Sequence, residues 1–154
     1  MEIRKAQEGD IPALISLLEQ VLAVHHEIRP DLFKERGTKY SEKELASMLA
    51  DSSRPIFVLE DDGRVIGHAF VELRQNKETK NAKANKELYL DDLVVDRRHQ
   101  GKGYGKALYT FVRNFAKQNG CDYITLNVWE GNEARKFYES LGLVTRKTTL
   151  EERL

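Results

Sequence analysis

A glycine-rich run between an apolar segment and an amphipathic segment is the feature that most constrains this chain. The run occupies positions 100–106 and reads Gln-Gly-Lys-Gly-Tyr-Gly-Lys. The preceding segment Leu88–Val95 is typical of a β-strand. After the run, apolar residues recur at helical spacing: Ala107, Leu108, Phe111, Val112 and Phe115. Glycines permit positive φ and bring N–H groups close to a ligand, and a helix N-terminus adds unpaired donors. The pattern predicts a strand, a phosphate-binding loop and a helix, in that order.

Two common nucleotide-binding motifs do not match this run. A Walker P-loop requires glycine, four residues and then Gly-Lys-Ser/Thr. Here Gly105-Lys106 is followed by Ala107, and the position five residues before Gly105 holds Gln100. A dinucleotide fingerprint requires G-x-G-x-x-G, whereas the three glycines of this run are evenly spaced. The loop is therefore predicted to bind neither a magnesium nucleotide nor a dinucleotide.

A third pattern, Gln/Arg-x-x-Gly-x-Gly/Ala, is met by Gln100, Gly103 and Gly105. It resembles the pyrophosphate-binding motif of the GNAT superfamily of acyl-coenzyme A-dependent N-acetyltransferases. Leu90–Asp96 is similar to the strand that precedes this loop in the family. Leu126–Leu143 is similar to the C-terminal signature L-x-V-x-x-x-N-x-x-A-x-x-F-Y-x-x-x-G-F. The resemblance covers nearly the whole chain and is strongest from Leu88 to Leu143.

The composition limits the classes of partner. With 154 residues the chain is expected to form one domain over 1–154, and 25 basic residues balance 25 acidic ones. A neutral chain has no overall field to attract nucleic acid or anionic lipid, so neither partner is expected. We find no membrane span or signal peptide, and the lone Cys121 allows no internal disulfide. A cytoplasmic protein is the simplest interpretation.

The predicted elements indicate an α+β fold. Two strands joined by the turn 61–64 form a hairpin, and Ser41–Glu44 has the sequence of a helix capping box. The expected order is one strand, two helices, three strands, helix, strand, helix and a closing strand at Leu143–Leu150. The GNAT resemblance implies the same architecture: a mixed, mostly antiparallel central sheet flanked by helices.

The resemblance also implies which residues bind the acyl donor, acetyl-coenzyme A. Relatives pair the backbone of the strand before the loop with the pantetheine arm, and the loop itself holds the pyrophosphate. Asn132 is predicted to cap the last helix and, by the resemblance, to contact the coenzyme. The expected donor-binding residues are Leu93, Val94, Val95, Gln100, Gly101, Lys102, Gly103, Tyr104, Gly105, Lys106 and Asn132.

Two further features are candidates for proton transfer. Asp91 and Asp92 lie in an otherwise apolar strand, where fold stability requires no carboxylate. The family often has an acidic residue at the Asp91 position that attracts or deprotonates the amine. Relatives usually have a bulge near here, so simple alternation does not decide which aspartate faces the substrate. Tyr138 matches a family tyrosine that acts as general acid toward the coenzyme sulfur, and it equally fits a buried helix face.

The function expected from these features is transfer of an acetyl group from acetyl-CoA to a primary amine by direct attack, with Asp91 and Tyr138 as catalytic residues. The alternative is a non-catalytic acyl-CoA-binding sensor or regulatory module. His25 and His26 lack metal-site spacing, and direct attack requires no metal, so none is expected. The acceptor, a small amine or a peptide N-terminus, stays open. Homodimerisation is common among relatives and is a possibility here.

Overall fold

A five-stranded sheet forms the centre of the protein, and the computed structural model describes all of residues 1–154 around it. The strands are β1 (Glu2–Lys5), β2 (Ile56–Asp61), β3 (Arg64–Asn76), β4 (Asn85–Val95) and β5 (Tyr123–Thr125). The helices are α1 (Ile11–Ile28), α2 (Glu42–Leu49), α3 (Tyr104–Gln118) and α4 (Ala134–Ser140). Short 3-10 turns at Glu8–Asp10 and Arg97–His99 precede α1 and follow β4.

Local sequence signals account for two of these boundaries. Asp62 and Gly63 both have positive φ, 50° and 73°, which is the conformation of the tight turn that suits the twist of a hairpin. At the start of α2, the Ser41 hydroxyl accepts a hydrogen bond from the Glu44 N–H at 3.1 Å. The Glu44 carboxylate accepts one from the Ser41 N–H at 3.2 Å. The predicted hairpin and capping box are thus confirmed.

The strands follow one another across the sheet in chain order, β1-β2-β3-β4-β5. The first three neighbouring pairs are antiparallel, and β4 pairs with β5 in parallel. This parallel pair requires a crossover, which the glycine loop and α3 provide. The predicted mixed, mostly antiparallel sheet is confirmed.

Helices cover both faces of the sheet and make two separate cores. On one face, α1 and α2 bury Leu14, Leu18, Leu45 and Met48 against Ile56, Val58 and Phe70. On the other, α3 buries Leu108, Tyr109, Val112 and Ala116 against the sheet, and α4 packs there through Phe137, Tyr138 and Leu141. The strand β4 lies between these layers and meets both. None of the helices combines the length and apolar character that crossing a membrane requires.

The predicted closing strand at Leu143–Leu150 is wrong. Residues 143–154 have no regular secondary structure, and Val144 and Leu150 are almost fully exposed. The β-branched residues of this segment express only a local preference, and a strand forms only where its backbone groups pair with a neighbour. The β5 strand is also shorter than expected: it ends at Thr125 rather than at Val128.

Candidate active site

The β4 strand has an unpaired edge along its C-terminal half. Pairing with β5 extends only from Glu87 to Tyr89, so residues 90–95 pair with β3 alone. The Asp96 N–H donates to the Ile66 carbonyl on β3 at 2.7 Å. Backbone groups alternate in direction along an antiparallel strand, so those of Val95 and Leu93 point away from β3 and those of Val94 toward it. Consistent with this, the Gln100 side chain donates to the Val95 carbonyl at 3.0 Å.

The glycine loop follows this edge directly. Gly101 and Gly103 have φ of 80° and 86°, in the left-handed region that favours glycine. Gly103 is the N-cap of α3 and offers no side chain to its first turn. A Cβ atom at Gly101 or Gly103 would meet no atom within 4 Å, so both residues face open space. The N–H groups at the start of α3 are therefore available to an anion.

The third glycine has a packing role. A Cβ atom at Gly105 would lie 3.4 Å from Cζ of Phe137, which is the limit of ordinary contact. At this position α3 therefore lies close to α4, and a Cβ atom would already touch the Phe137 ring. The neighbouring Tyr104 directs its hydroxyl to Asp61, to which it donates at 2.7 Å. At these two positions the backbone, rather than the side chain, is free for a ligand.

Side chains at the loop and at α4 supply further polar groups. Lys102 and Lys106 are both exposed on either side of the helix start. Two cations beside unpaired N–H groups favour a phosphate ligand. The N-cap of α4 is Glu133 rather than the predicted Asn132, which lies one position earlier and accepts a hydrogen bond from the Ala134 N–H at 2.9 Å.

A β-bulge determines the direction of the two aspartates. Phe70 pairs with Asp92, whereas Val71 pairs with Leu90, so Asp91 is the extra residue. Leu90 and Val71 pack in the α3 layer, and alternation turns Asp91 to the opposite face. Asp92 also lies on that face, because its partner Phe70 packs beneath α1 and α2. Both carboxylates therefore face the α1 side of the sheet, which simple alternation forbids.

The two carboxylates differ in how many of their oxygens are engaged. Both oxygens of Asp91 accept a hydrogen bond: Oδ1 from Lys39 Nζ at 2.6 Å, and Oδ2 from the Tyr40 hydroxyl at 2.7 Å. Asp92 contacts His68 through Oδ2 alone, by way of the ring nitrogen Nε2. The Oδ1 atom of Asp92 has no protein partner. Each oxygen of Asp91 thus accepts a hydrogen bond, whereas one oxygen of Asp92 accepts none from the protein.

His68 is fully buried beneath this pair. Its ring packs edge-on against Phe70 with centroids 4.7 Å apart, and its exposed fraction is 0%. The Nδ1 atom has no hydrogen-bond partner among protein atoms. A hydrogen on Nδ1 would be a buried donor without an acceptor, so the surroundings favour the tautomer whose Nε2–H donates to Asp92.

Tyr138 approaches the carboxylates from the other layer. It lies on α4 against Tyr109 and Phe137, and its hydroxyl donates to no protein atom. Burial raises the pKa of Tyr138 well above its ordinary value, and the negative charge of Asp92 adds to the effect. The phenol therefore stays protonated over the range in which proteins work, and it lies within electrostatic reach of Asp92.

An aromatic wall stands on the α1 side of the aspartates. His25 stacks on Phe33 with centroids 4.9 Å apart, and Phe33 meets Trp129 edge-on at 5.5 Å. The guanidinium of Arg29 lies 5.6 Å from the centre of the Trp129 ring. Burial lowers the pKa of His25, with Asp92 and Lys39 acting on it in opposite directions. The end of α1 thus contributes to the same cleft as the two carboxylates.

Three residues of this cleft are absent from the sequence-based candidates: Lys39, Tyr40 and His68. A polar residue at an inward position of the apolar strand 66–70 was a usable signal for His68. No local pattern marks Lys39 or Tyr40, which follow α1 in a segment without regular structure. They reach Asp91 only because Tyr40 stacks on Phe70, with centroids 5.6 Å apart.

Comparison with known proteins identifies the family. The model of the acetyltransferase (GNAT) family matches residues 21–143. A glucosamine 6-phosphate N-acetyltransferase of Trypanosoma brucei brucei is 30% identical over 148 residues, which span 92% of this chain and 88% of that protein. An uncharacterised N-acetyltransferase of Bacillus subtilis is 30% identical over 144 residues, or 92% of this chain and 89% of that one.

Solved structures show the same fold. The tetramutant of a Bacillus halodurans protein superposes with a TM-score of 0.96 at 26% identity, and the match covers 100% of both chains. The chain therefore belongs to the GNAT acetyltransferase family, as the glycine loop and its flanking segments predict. It is an acetyl-CoA-dependent N-acetyltransferase.

Proposed function

We propose that this enzyme transfers the acetyl group of acetyl-CoA to the primary amine of a small molecule or a peptide N-terminus, and that the amine attacks the thioester directly. The observation that carries the proposal is the position of β4. One edge of this strand is open toward the glycine loop, and the bulge in the same strand turns two carboxylates to the α1 side. Donor and acceptor can therefore meet at one strand.

The donor half of the site runs along the open edge. The outward backbone groups of Leu93 and Val95 can pair with the amides of the pantetheine arm, as an added strand would. The pyrophosphate fits the N–H groups from Gly101 to Lys106, where the helix N-terminus and two lysines favour negative charge. The backbone groups of Val94 point to β3, so Val94 contributes to donor binding by holding this strand in the sheet rather than by pairing with the pantetheine arm.

The acceptor half lies on the α1 side. We assign Asp91 to the attraction of the acceptor ammonium, since its carboxylate faces the α1 side and holds the ammonium of the exposed Lys39, which an acceptor amine can displace. The relative from Trypanosoma brucei brucei is named for glucosamine 6-phosphate, a primary amine, which belongs in any test of acceptors. The aromatic wall of His25, Phe33 and Trp129 would flank the carbon skeleton of the acceptor.

Tyr138 is assigned the role of general acid. When the C–S bond of the thioester breaks, the thiolate takes a proton, and a phenol can donate it without carrying charge beforehand. The raised pKa means that the phenol is protonated at neutral pH and so has a proton to donate. Its hydroxyl has no protein partner, so nothing competes with the sulfur for it.

Two measurements test the proposal. Isothermal titration measures acetyl-CoA binding, and thiol release measures its consumption with a panel of primary amines, including glucosamine 6-phosphate, polyamines and short peptides with free N-termini. We expect binding and transfer to at least one amine. Absence of acetyl-CoA binding would refute the donor site. Binding without transfer to any amine would instead indicate the sensor alternative.

A further inference from the structure

The carboxylates of Asp91 and Asp92 differ in how many of their oxygens accept a hydrogen bond from the protein, and the proposal rests on this difference. Asp91 has no free oxygen, because Lys39 and Tyr40 hold one each. Asp92 has one oxygen held by His68 and one without a protein partner. A group that accepts a proton needs a free lone pair directed at the proton it takes. Among these four carboxylate oxygens, only Oδ1 of Asp92 accepts no hydrogen bond from the protein, so it can take a proton without displacing a partner.

The chemistry requires such an acceptor. An alkylammonium has no lone pair, so it must lose a proton before its nitrogen can attack the thioester carbon. The N–C bond then forms, the C–S bond breaks, and the thiolate takes a proton from the general acid. The reaction thus removes protons from the amine and delivers one to sulfur. Tyr138 serves the sulfur end, and the nitrogen end needs a base.

We propose that Asp92 accepts the proton of the acceptor amine through Oδ1, and that buried His68 is the positioning residue that holds Oδ2 and keeps Oδ1 directed into the cleft. This assignment rests on the proposed amine acetylation and adds a division of labour to it. Asp91 attracts the ammonium, and Asp92 deprotonates it. His68 acts only through Asp92, because it is 0% exposed and meets no substrate.

The surroundings of His68 support a fixed position rather than a packing role alone. It is the one fully buried polar residue on an apolar face beneath α1, beside Phe70, where an aliphatic side chain would suit the core. Its Nδ1 atom carries no hydrogen bond, so the ring gains its polar contact only through Nε2 and Asp92. Burying a polar ring with an unpartnered atom lowers stability, and a catalytic task explains why such a residue is retained.

The test compares Asp92→Asn with Asp91→Asn and with Asp62→Asn, an exposed aspartate of the β2–β3 turn. Each variant is assayed with saturating acetyl-CoA and the amine that the wild type acetylates fastest, at pH 7 and pH 10. An alkylamine with an ordinary pKa of about 10.4 is below 0.1% neutral at pH 7 and about 30% neutral at pH 10, and a peptide N-terminus with a pKa of about 7.7–8.0 is about 10–20% neutral at pH 7 and almost fully neutral at pH 10. Acetylation therefore depends less on a protein base at pH 10 than at pH 7.

The charged groups that face Asp92 do not complicate this pH window. Burial lowers the pKa of His25 on α1, so it titrates below pH 7. For Lys39, before α2, burial lowers the pKa, but the hydrogen bond to Asp91 and the negative charges of Asp91, Tyr40 and Tyr89 together raise it above its ordinary value. Burial raises the pKa of Tyr40 and of Tyr138, from α4. The pKa of His25 therefore lies below this interval, and the pKa values of Lys39, Tyr40 and Tyr138 lie above it.

We expect Asp92→Asn to lower kcat by about 10²- to 10⁴-fold at pH 7. At pH 10 the fold-loss of kcat should be at least ten times smaller, and the affinity for acetyl-CoA should be unchanged. Asp91→Asn should mainly raise the KM of the amine, and Asp62→Asn should behave as the wild type. A kcat of Asp92→Asn within threefold of the wild type, or an equal loss at both pH values, would overturn the assignment. If the wild type acetylates no amine, the proposed function fails first, which is a distinguishable result.

A second pair of variants tests the role of His68. His68→Leu removes the donor to Asp92, whereas His68→Gln keeps an N–H that can reach it. We expect the leucine variant to lose tenfold or more in kcat with an unchanged KM for acetyl-CoA, and the glutamine variant to recover part of that loss. Equal activity of the two variants would assign His68 to packing alone. Thermal unfolding of both shows whether the fold is retained.

Discussion

Gly103→Glu should weaken acetyl-CoA binding much more than Gly103→Ala. Gly103 has a φ of 86°, so both substitutions place an L-residue in the left-handed region at a similar cost of about 1–2 kcal/mol. A Cβ atom there meets nothing within 4 Å, so neither variant introduces a clash at that atom. The two variants therefore share the backbone effect, and they differ in the carboxylate that glutamate carries.

The size of the difference follows from Coulomb's law. For a glutamate about 6 Å from one phosphate charge, 332/(εr) gives about 0.7 kcal/mol at ε of 80 and about 2.8 kcal/mol at ε of 20. This range corresponds to about 3- to 100-fold in Kd. The loop is exposed, so salt should reduce the penalty toward the lower figure.

Isothermal titration at low and high salt measures the effect on acetyl-CoA. S-acetylpantetheine, which lacks the pyrophosphate, is the matched ligand: its affinity should be the same for the alanine and glutamate variants. Thermal unfolding should show equal losses of stability for the two. Equal acetyl-CoA affinities of the two variants would refute the placement of the pyrophosphate at this loop.

Three further predictions follow from single contacts. Tyr138→Phe should lower kcat by about 10²-fold or more and leave the acetyl-CoA Kd within twofold, measured by thiol release and titration; an unchanged kcat removes the proton-donor role. Lys39→Met frees Oδ1 of Asp91, so the KM of a cationic amine should fall severalfold, and a constant KM would contradict ammonium binding at Asp91. Hydrogen bonds from Arg4 lower the pKa of Asp10 against the effect of burial, so this carboxylate stabilises the fold above about pH 4 and loses that contribution as pH falls. Asp10→Asn should therefore cost about 1–3 kcal/mol at pH 7 and much less at pH 2 in thermal unfolding, and an equal cost at both would exclude the ionic contact.

Most of the fold could be predicted from local patterns. The Asp62-Gly63 turn, the Ser41 capping box and the start of α3 after Gly103 each depend on residues within one turn of each other. Such signals are strong because conformational preference and hydrogen bonding act over short sequence distances. The closing strand failed for the opposite reason. Its β-branched residues favour extended backbone, but a strand also needs a partner elsewhere in the chain.

The candidate site could be predicted on the donor side and only in part on the acceptor side. The glycine loop and its flanking segments are each continuous in sequence, so their resemblance to the GNAT superfamily was enough to predict a coenzyme A site. The acceptor side combines β3, β4, α1 and the segment before α2, whose contacts span 24 to 52 positions, as in His68 with Asp92 and Lys39 with Asp91. No single segment carries a pattern for such contacts.

The order of residues was enough to identify the glycine loop and to predict the family by resemblance, because both depend on motifs within continuous segments of the chain. Tertiary structure decided the direction of Asp91 and Asp92. One unpaired residue in β4 turns both carboxylates to the same face, whereas the strict alternation of an ideal strand would separate them. It also decided which oxygens are free, since Lys39, Tyr40 and His68 reach the pair only when two sheet strands and the chain before α2 are packed together.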